Sequence, residues 1–211
     1  MRTLTEERRQ AIITAAAQLF QEIGYERASM NEVAKRVGGS KATLYNYFSS
    51  KEELFETVVR TYSANFMTDA AAELTKPGSE NLSIEQKLTL FGERMLQVLA
   101  GENQALQIYR VVVGESGHSD IGTLFHESGI RQSLETLAQA MADAAQKGEL
   151  IAGDPELRVK QFTALVKAEA DALLYQRELP RFTRAQIQQM VRNGVQLFLH
   201  GATSQKKESN P

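Results

Sequence analysis

"GGSKATLYNYF", residues 38–48, is the stretch on which the reading of this chain turns. Two adjacent glycines break a helix, and Ser40 can cap a new one by accepting a backbone N–H from its first turn. Residues 41–47 therefore read as a short helix set off by a tight turn. Upstream, Ser29 and Glu32 stand three apart and form a capping box, which starts a helix holding Val33, Ala34 and Val37 before the glycines. Helices of under about ten residues are marginal alone in water, so the pair needs a third to pack on. Ile12, Ala16, Leu19, Phe20 and Ile23 recur at helical spacing and supply it. Thr5 is its cap, Glu6 and Glu7 lie in its first turn, and Gly24-Tyr25 is its stop.

Leu44 and Phe48 lie four apart and complete a three-helix core, which leaves Lys41, Ala42, Thr43, Tyr45, Asn46 and Tyr47 to point outward. This exposed set suits duplex DNA. Ser40 and Lys41 offer a hydroxyl and a charge to phosphate, and Ala42 keeps bulk low where a helix must approach a groove floor. Thr43 brings a methyl and a hydroxyl to base edges, and Asn46 an amide. Tyr45 and Tyr47 have flat bodies for sugars and hydroxyls for phosphate oxygens. Ser29 and Lys51, on either side of the turn and helix, join the candidate DNA contacts. The bland alternative is that two helices at a glycine turn are plain packing.

Bulk properties agree with a globular DNA-binding chain. There is no cysteine among the 211 residues, which excludes disulfides, thiolate zinc sites and cysteine nucleophiles. No apolar run approaches the roughly 20 residues that span a bilayer, and "MRTLTEERRQ" lacks the apolar segment of a signal peptide; a bacterial-type cytoplasmic location and no membrane partner are expected. The net charge of −2 conceals an asymmetry, because the first 51 residues carry eight Lys/Arg against five Glu and the remainder is acidic. That distribution fits an N-terminal part that meets a polyanion, although chance scatter explains it equally well by itself.

Helical spacing continues to the end of the chain without sustained alternation, so the fold class is all-α, with about nine helices. Ser50 with Glu53 opens a long helix through Leu54, Phe55, Val58, Tyr62 and Phe66, which fades into the linker-like "TKPGSENLS" at 75–83. Further starts stand at Ser83 with Gln86, at Asp154-Pro155-Glu156 and at Thr183 with Gln186. "GATSQKKESNP" at 201–211 reads as a polar, frayed end.

From about residue 8 to 66, through "IITAAAQLFQEIGYERASMNEVAKRVGGSKATLYNYFSSKEELF", the chain resembles the N-terminal domain of the tetracycline-repressor (TetR) family of bacterial transcription regulators. The glycine-aromatic turn at Gly24-Tyr25, the helix start at Ser29, the "SKATLYNYF" helix and the "SKEEL" cap fall in order at family spacing. Gly39 stands where that family often has valine or isoleucine, and Ala42 where it often has glycine; neither adds bulk that would block a groove. "IYRVVVGESGHSDIGTLFHESG" and "GELIAGDPELRVKQFTALV" are similar to the AefR-like subgroup. The resemblance implies a homodimer that sets two recognition helices in successive major grooves of a near-palindromic operator, with half-sites about 34 Å apart. It also implies repression relieved by a small molecule bound in the second domain, of unknown identity, with no cofactor. The expected organisation is a helix-turn-helix domain at 1–51 with its core at 29–48 (the family-type unit covers about 8–68), a ligand-binding and dimerisation domain at 52–201, and a flexible tail at 202–211.

In the second domain, Ala164, Ala168 and Ala172 form a stripe of small residues, and the last helix presents Ile187, Val191, Gly194, Val195 and Phe198. These are the candidate dimer contacts, since small residues let helices of two copies come close. An intramolecular core accounts for the same pattern. Candidate ligand contacts are Phe66, Phe91, Met95, Tyr109, Val113, Phe125, Phe162 and Glu169. Most of these side chains serve as core in any reading. Glu169 falls on the apolar face of Phe162 and Val166, where a carboxylate needs either a paired cation or a polar ligand. Catalysis has no support: "GESGH" at 114–118 has the wrong glycine spacing for a nucleophile elbow, and the three histidines match no metal motif.

Overall fold

Local capping decides where the chain turns. In a computed structural model, which describes residues 5–62, 65–101, 103–176 and 181–202, the side chains of 65–66, 101, 103–104 and 201–202 excepted, the described elements are all helical. Helix α1 (Glu6–Ile23) starts where the Thr5 side chain accepts the Arg8 N–H, and stops at Gly24, whose φ of 81° only glycine adopts readily. Helix α2 (Met30–Val37) opens on the Ser29–Glu32 capping box and closes on Gly38 in the left-handed region. The Gly38 N–H bonds Lys35 O (3.1 Å) and the Gly39 N–H bonds Ala34 O (2.9 Å), a Schellman closure of the helix end. Helix α3 (Lys41–Tyr45) is capped by Ser40, and the Tyr47 and Phe48 N–H groups extend its last turn onto Leu44 O.

By packing, the chain forms two compact units, each built from two stretches: Met1–Asn65 with Asn103–Ile130, and Phe66–Glu102 with Arg131–Pro211. In the first, α1, α2 and α3 are joined by α4 (Lys51–Tyr62), α7 (Asn103–Glu115) and α8 (Ile121–Phe125). Phe20, Tyr25 and Phe55 form its aromatic centre, with edge-on contacts of 5.0 Å between Phe20 and Phe55 and 4.8 Å between Tyr25 and Phe55. Leu44 and Phe48 are buried in the same core.

The second unit contains α5 (Asn65–Thr75, whose first residue falls in the other unit), α6 (Ile84–Gly101), α9 (Arg131–Gln146), α10 (Pro155–Lys167) and α11 (Arg184–Ala202). Expected caps are present: Ser83 and Gln86 bond reciprocally, as do Thr183 and Gln186, and Asp154 accepts the Glu156 N–H. The stretch 75–83 lies inside this unit as a tight turn, with Ser79 buried and its hydroxyl donated to Leu74 O at 2.7 Å. Helix α10 ends at Lys167, although Ala164, Ala168 and Ala172 are spaced as one face of a longer helix. No local breaker stops it; the chain turns at 168–170 and continues as a 3-10 turn, and this buries Ala170 and Leu173. The eleven α-helices described exceed the expected nine through the short α8 and because 51–75 is described in two pieces on either side of residues 63–64.

Candidate nucleic-acid interface

Helix α3 is fixed from beneath. Leu44 and Phe48 are 2% and 1% exposed, and the Arg9 guanidinium lies 5.2 Å from the centre of the Phe48 ring, covering its edge of the core. With those two side chains held inward, Lys41, Ala42, Tyr45 and Asn46 are exposed on the other face. Thr43 is half-buried because its N–H and hydroxyl meet the Ser40 hydroxyl at 3.1 and 2.9 Å. Its methyl is not engaged by that bond. Lys41 folds over the Tyr45 ring at 5.7 Å, an arrangement a phosphate can unfold at little cost.

Besides Ser40 and Thr43, three of the sequence-nominated residues are already engaged. The Tyr47 hydroxyl accepts the Thr5 N–H at 3.1 Å, tying the start of α1 to α3, and keeps its own proton to donate. The Ser29 hydroxyl donates to Glu32 at 2.7 Å within the capping box. The Lys51 ammonium sits 4.1 Å from the Tyr25 ring centre and donates to Tyr25 O at 3.1 Å. Of these bonds sequence spacing shows only that of Ser29 with Glu32, since the partners of Tyr47 and Lys51 are more than twenty residues away.

The surrounding charges stabilise the scaffold. Arg36 forms a bidentate pair with Glu22, and that hydrogen bond holds the Glu22 carboxyl below its ordinary range. Glu53 accepts from the Ser49 N–H and hydroxyl at 2.7 and 2.6 Å, which lowers its pKa; the reciprocal bond expected at Ser50 goes to Ser49 instead. Burial raises the Tyr25 phenol, whose hydroxyl donates to Glu52 at 3.2 Å. Glu115 at the end of α7 accepts the Tyr25 N–H at 3.2 Å, a contact that sequence reasoning missed. The hydroxyl of Ser116, the first residue past α7, donates back to Val112 O in the last turn of that helix.

The candidate ligand residues fall into both units. The Tyr109 and Phe125 rings meet at a tilt, 5.5 Å apart, in the first unit, where Val113 is half exposed. Phe91, Met95 and Phe162 are buried in the second, where Phe162 contacts Phe91 at 6.3 Å and Phe198 at 5.6 Å. The Phe66 side chain lies outside the described residues. Glu169 requires a correction: α10 ends two residues earlier, so the carboxylate is turned to solvent and accepts from the Asn193 amide at 2.8 Å. It lacks the apolar burial expected of it and, among the described residues, has no cationic partner.

The candidate dimer residues divide. Ile187, Val191, Gly194, Val195 and Phe198 are buried inside the second unit, so α11 presents that stripe to α6 and α10. A Cβ on Gly194 would stand 3.0 Å from the Val166 backbone, so this glycine brings α11 against α10 of the same chain. The assignment of these five to a subunit contact is therefore corrected to the intramolecular core. Ala164, Ala168 and Ala172 are exposed, as are Tyr175 at 79% and Leu197 at 62%. Among the described residues no helix is long and apolar enough to cross a membrane, and no group of acidic or histidine side chains has the arrangement of a metal site.

Residues 12–58 match the family profile described as bacterial regulatory proteins, tetR family, and residues 86–201 match the AefR-like transcriptional repressor C-terminal domain. The flavonoid-responsive regulator FrrA is 30% identical, with a TM-score of 0.72, and the alignment covers 96% of this chain and all of FrrA. A TetR-family regulator from Mesorhizobium loti is 24% identical with a TM-score of 0.77 over 96% of this chain and its own full length, a likeness of fold. The regulator YhgD of Bacillus subtilis is 27% identical over 76% of this chain and 83% of its own length. The transcriptional activator FasR of Mycolicibacterium smegmatis is 41% identical, over 30% of this chain and 29% of FasR.

Proposed function

The chain belongs to the tetR family of bacterial regulatory proteins and is a transcriptional regulator, and on that premise we propose that it is a dimeric repressor released from its operator by a small molecule. The observation that carries the DNA half is the two-sided construction of α3. Leu44 and Phe48 fix it to the core, while Lys41, Ala42, Tyr45 and Asn46 remain outward. Residues 1–51 supply the DNA contacts: Ser40, Lys41 and Tyr47 to the phosphate backbone, and Ala42, Thr43 and Asn46 to the groove. Ser29 and Lys51 reach phosphate by exchanging their present partners.

Residues 52–201 serve effector binding and self-association. The dimer face is the exposed side of α10, the following turn and α11, where Ala164, Ala168 and Ala172 permit close approach and Leu197 supplies apolar area. A single short recognition helix gives too little contact for strong operator binding, which is why a second copy is needed. For the effector, the flavonoid response named for FrrA makes planar aromatic compounds the first to screen, and the Phe91–Phe162–Phe198 cluster offers them ring contacts. The protein acts where its operator is, in the cytoplasm.

The test is footprinting on the intergenic DNA beside the protein's own gene, repeated with a flavonoid panel. A protected near-palindrome that is lost with one compound is the expected result. Equal affinity for that DNA and for random duplex at moderate salt would exclude specific regulation, and protection that persists through the panel would remove flavonoids as the releasing class.

A further inference from the structure

The turn between α2 and α3 has a cation parked on it. A Cβ built on Gly39 would lie 2.8 Å from a terminal guanidinium nitrogen of Arg8, closer than real Cβ atoms come to anything. The Arg8 side chain, from the first turn of α1, thus occupies the space directly over the Gly39 backbone. Gly39 is not held there by conformation, since it is absent from the glycines with positive φ. What the missing side chain provides at this position is room.

Among the described residues the Arg8 guanidinium has neither a hydrogen bond nor an ion pair, whereas its neighbours are engaged. Arg9 lies 3.7 Å from Glu6 and over Phe48, and Arg36 is forked onto Glu22. Glu7 and Arg36 line the same open groove as Arg8, and Lys41 opens the helix that follows Gly39. The Tyr47–Thr5 bond holds the start of α1 against α3, so the placement of Arg8 is built into the domain. An arginine with five unused donors, half-buried at a turn, loses hydration without gaining a partner; an incoming phosphate oxygen supplies that partner.

We propose that Arg8 is an additional contact to the operator's phosphate backbone, admitted to the α2–α3 turn by the absence of a side chain at Gly39. The proposal rests on the DNA-binding reading above. As a backbone contact Arg8 adds affinity without choosing bases, and it makes α1, outside the helix-turn-helix itself, part of the interface.

The test compares Arg8→Gln, Gly39→Ala, the double variant and Lys41→Ala by operator binding across a salt series, with thermal unfolding of each. Arg8→Gln is expected to lower affinity about tenfold at low salt, for operator and random duplex alike, and to reduce the salt slope by about 0.9. Gly39→Ala pushes the guanidinium tip off its present seat and should weaken binding by no more than Arg8→Gln, with the unfolding midpoint kept; the double variant should bind no more weakly than Arg8→Gln alone. If Arg8→Gln leaves affinity and slope unchanged while Lys41→Ala reduces both, the Arg8 proposal fails and the DNA reading stands. An Arg8→Gln that lowers only the midpoint makes Arg8 a packing residue and overturns the proposal as well. If the wild type itself does not distinguish operator from random duplex, it is the DNA reading that fails.

Discussion

The outer face of α3 and the outer face of α11 are both polar, yet they handle their hydrogen bonds in opposite ways. On α11, the Gln189 amide donates to Asn193, Arg192 donates to Gln189, Asn193 donates to Glu169, and the His200 ring meets Gln196 O. On α3, by contrast, the exposed Asn46 amide has no side-chain partner among the described residues, and Lys41 only rests on a ring. A surface whose groups bond one another can be covered by a second copy without leaving donors stranded. Open groups bonded to water, on the other hand, exchange it for phosphates and base edges at little net cost. The contrast separates a face suited to self-association from a face suited to DNA.

Beneath those faces the two helices are alike, and the largest effects should show it. Phe48→Ala and Phe198→Ala each remove a ring that is at least 95% buried, and each should cost about 3–5 kcal/mol in denaturant unfolding. A loss below about 1 kcal/mol at either site would show that the ring is not core there and would break the likeness.

Next in size is the outward side of α11. Leu197→Glu removes an exposed apolar group and puts a carboxylate to be desolvated into each half of a symmetric contact, and should turn the dimer into a monomer in sedimentation. With one recognition helix per particle, operator affinity should fall at least about a hundredfold while the unfolding of the protomer is little changed. A Leu197→Glu protein that stays dimeric moves the association face away from α11.

Smaller again are the base contacts. Asn46→Ala and Thr43→Ala should each shift the preference at one base position of each half-site by about 1–3 kcal/mol in competition binding, with the salt slope unchanged. Gln189→Ala on α11 is the control, and should alter neither base preference nor slope. Uniform weakening on every sequence after Asn46→Ala would make that residue a backbone contact.

How much of this was legible in the sequence follows from the range of the forces involved. The caps at Thr5, Ser29, Ser40 and Asp154 act within three or four residues, so residue type and spacing were enough to locate them. Leu44 and Phe48 were legible because a helix so short has few ways to bury two apolar groups. The stripe at Ile187, Val191, Gly194, Val195 and Phe198 announced that it is covered but not by what, and only coordinates place α6 and α10 of the same chain upon it. The same holds for the packing of Asn103–Ile130 with the N-terminal helices through contacts such as Glu115 to Tyr25. Glu169 was misread because its phase was counted along a helix that tertiary packing ends at Lys167.

The smallest effect also lies at that helix end. Burial lowers the pKa of Lys167 below its ordinary 10.5, with Asp171 opposing the shift through its charge. Below the folded-state pKa the ammonium is charged in both states, and the folded protein bears the full cost of desolvating it. Between that pKa and 10.5 the unfolded chain binds more protons than the folded one, so the Lys167 contribution to stability rises with pH and is lost again as pH falls. Lys167→Met keeps the stem and removes the charge. It should raise the unfolding midpoint at neutral pH by a few degrees, about 2–4 °C for each kcal/mol recovered, and flatten the rise in stability on the alkaline side. α3 provides the contrast: Lys41 is exposed, and Lys41→Met should leave the midpoint where it is while weakening DNA binding. If Lys167→Met instead lowers the midpoint at pH 7, attraction to Asp171 outweighs burial, and Lys167 is a stabilising ion-pair partner at the α10 terminus.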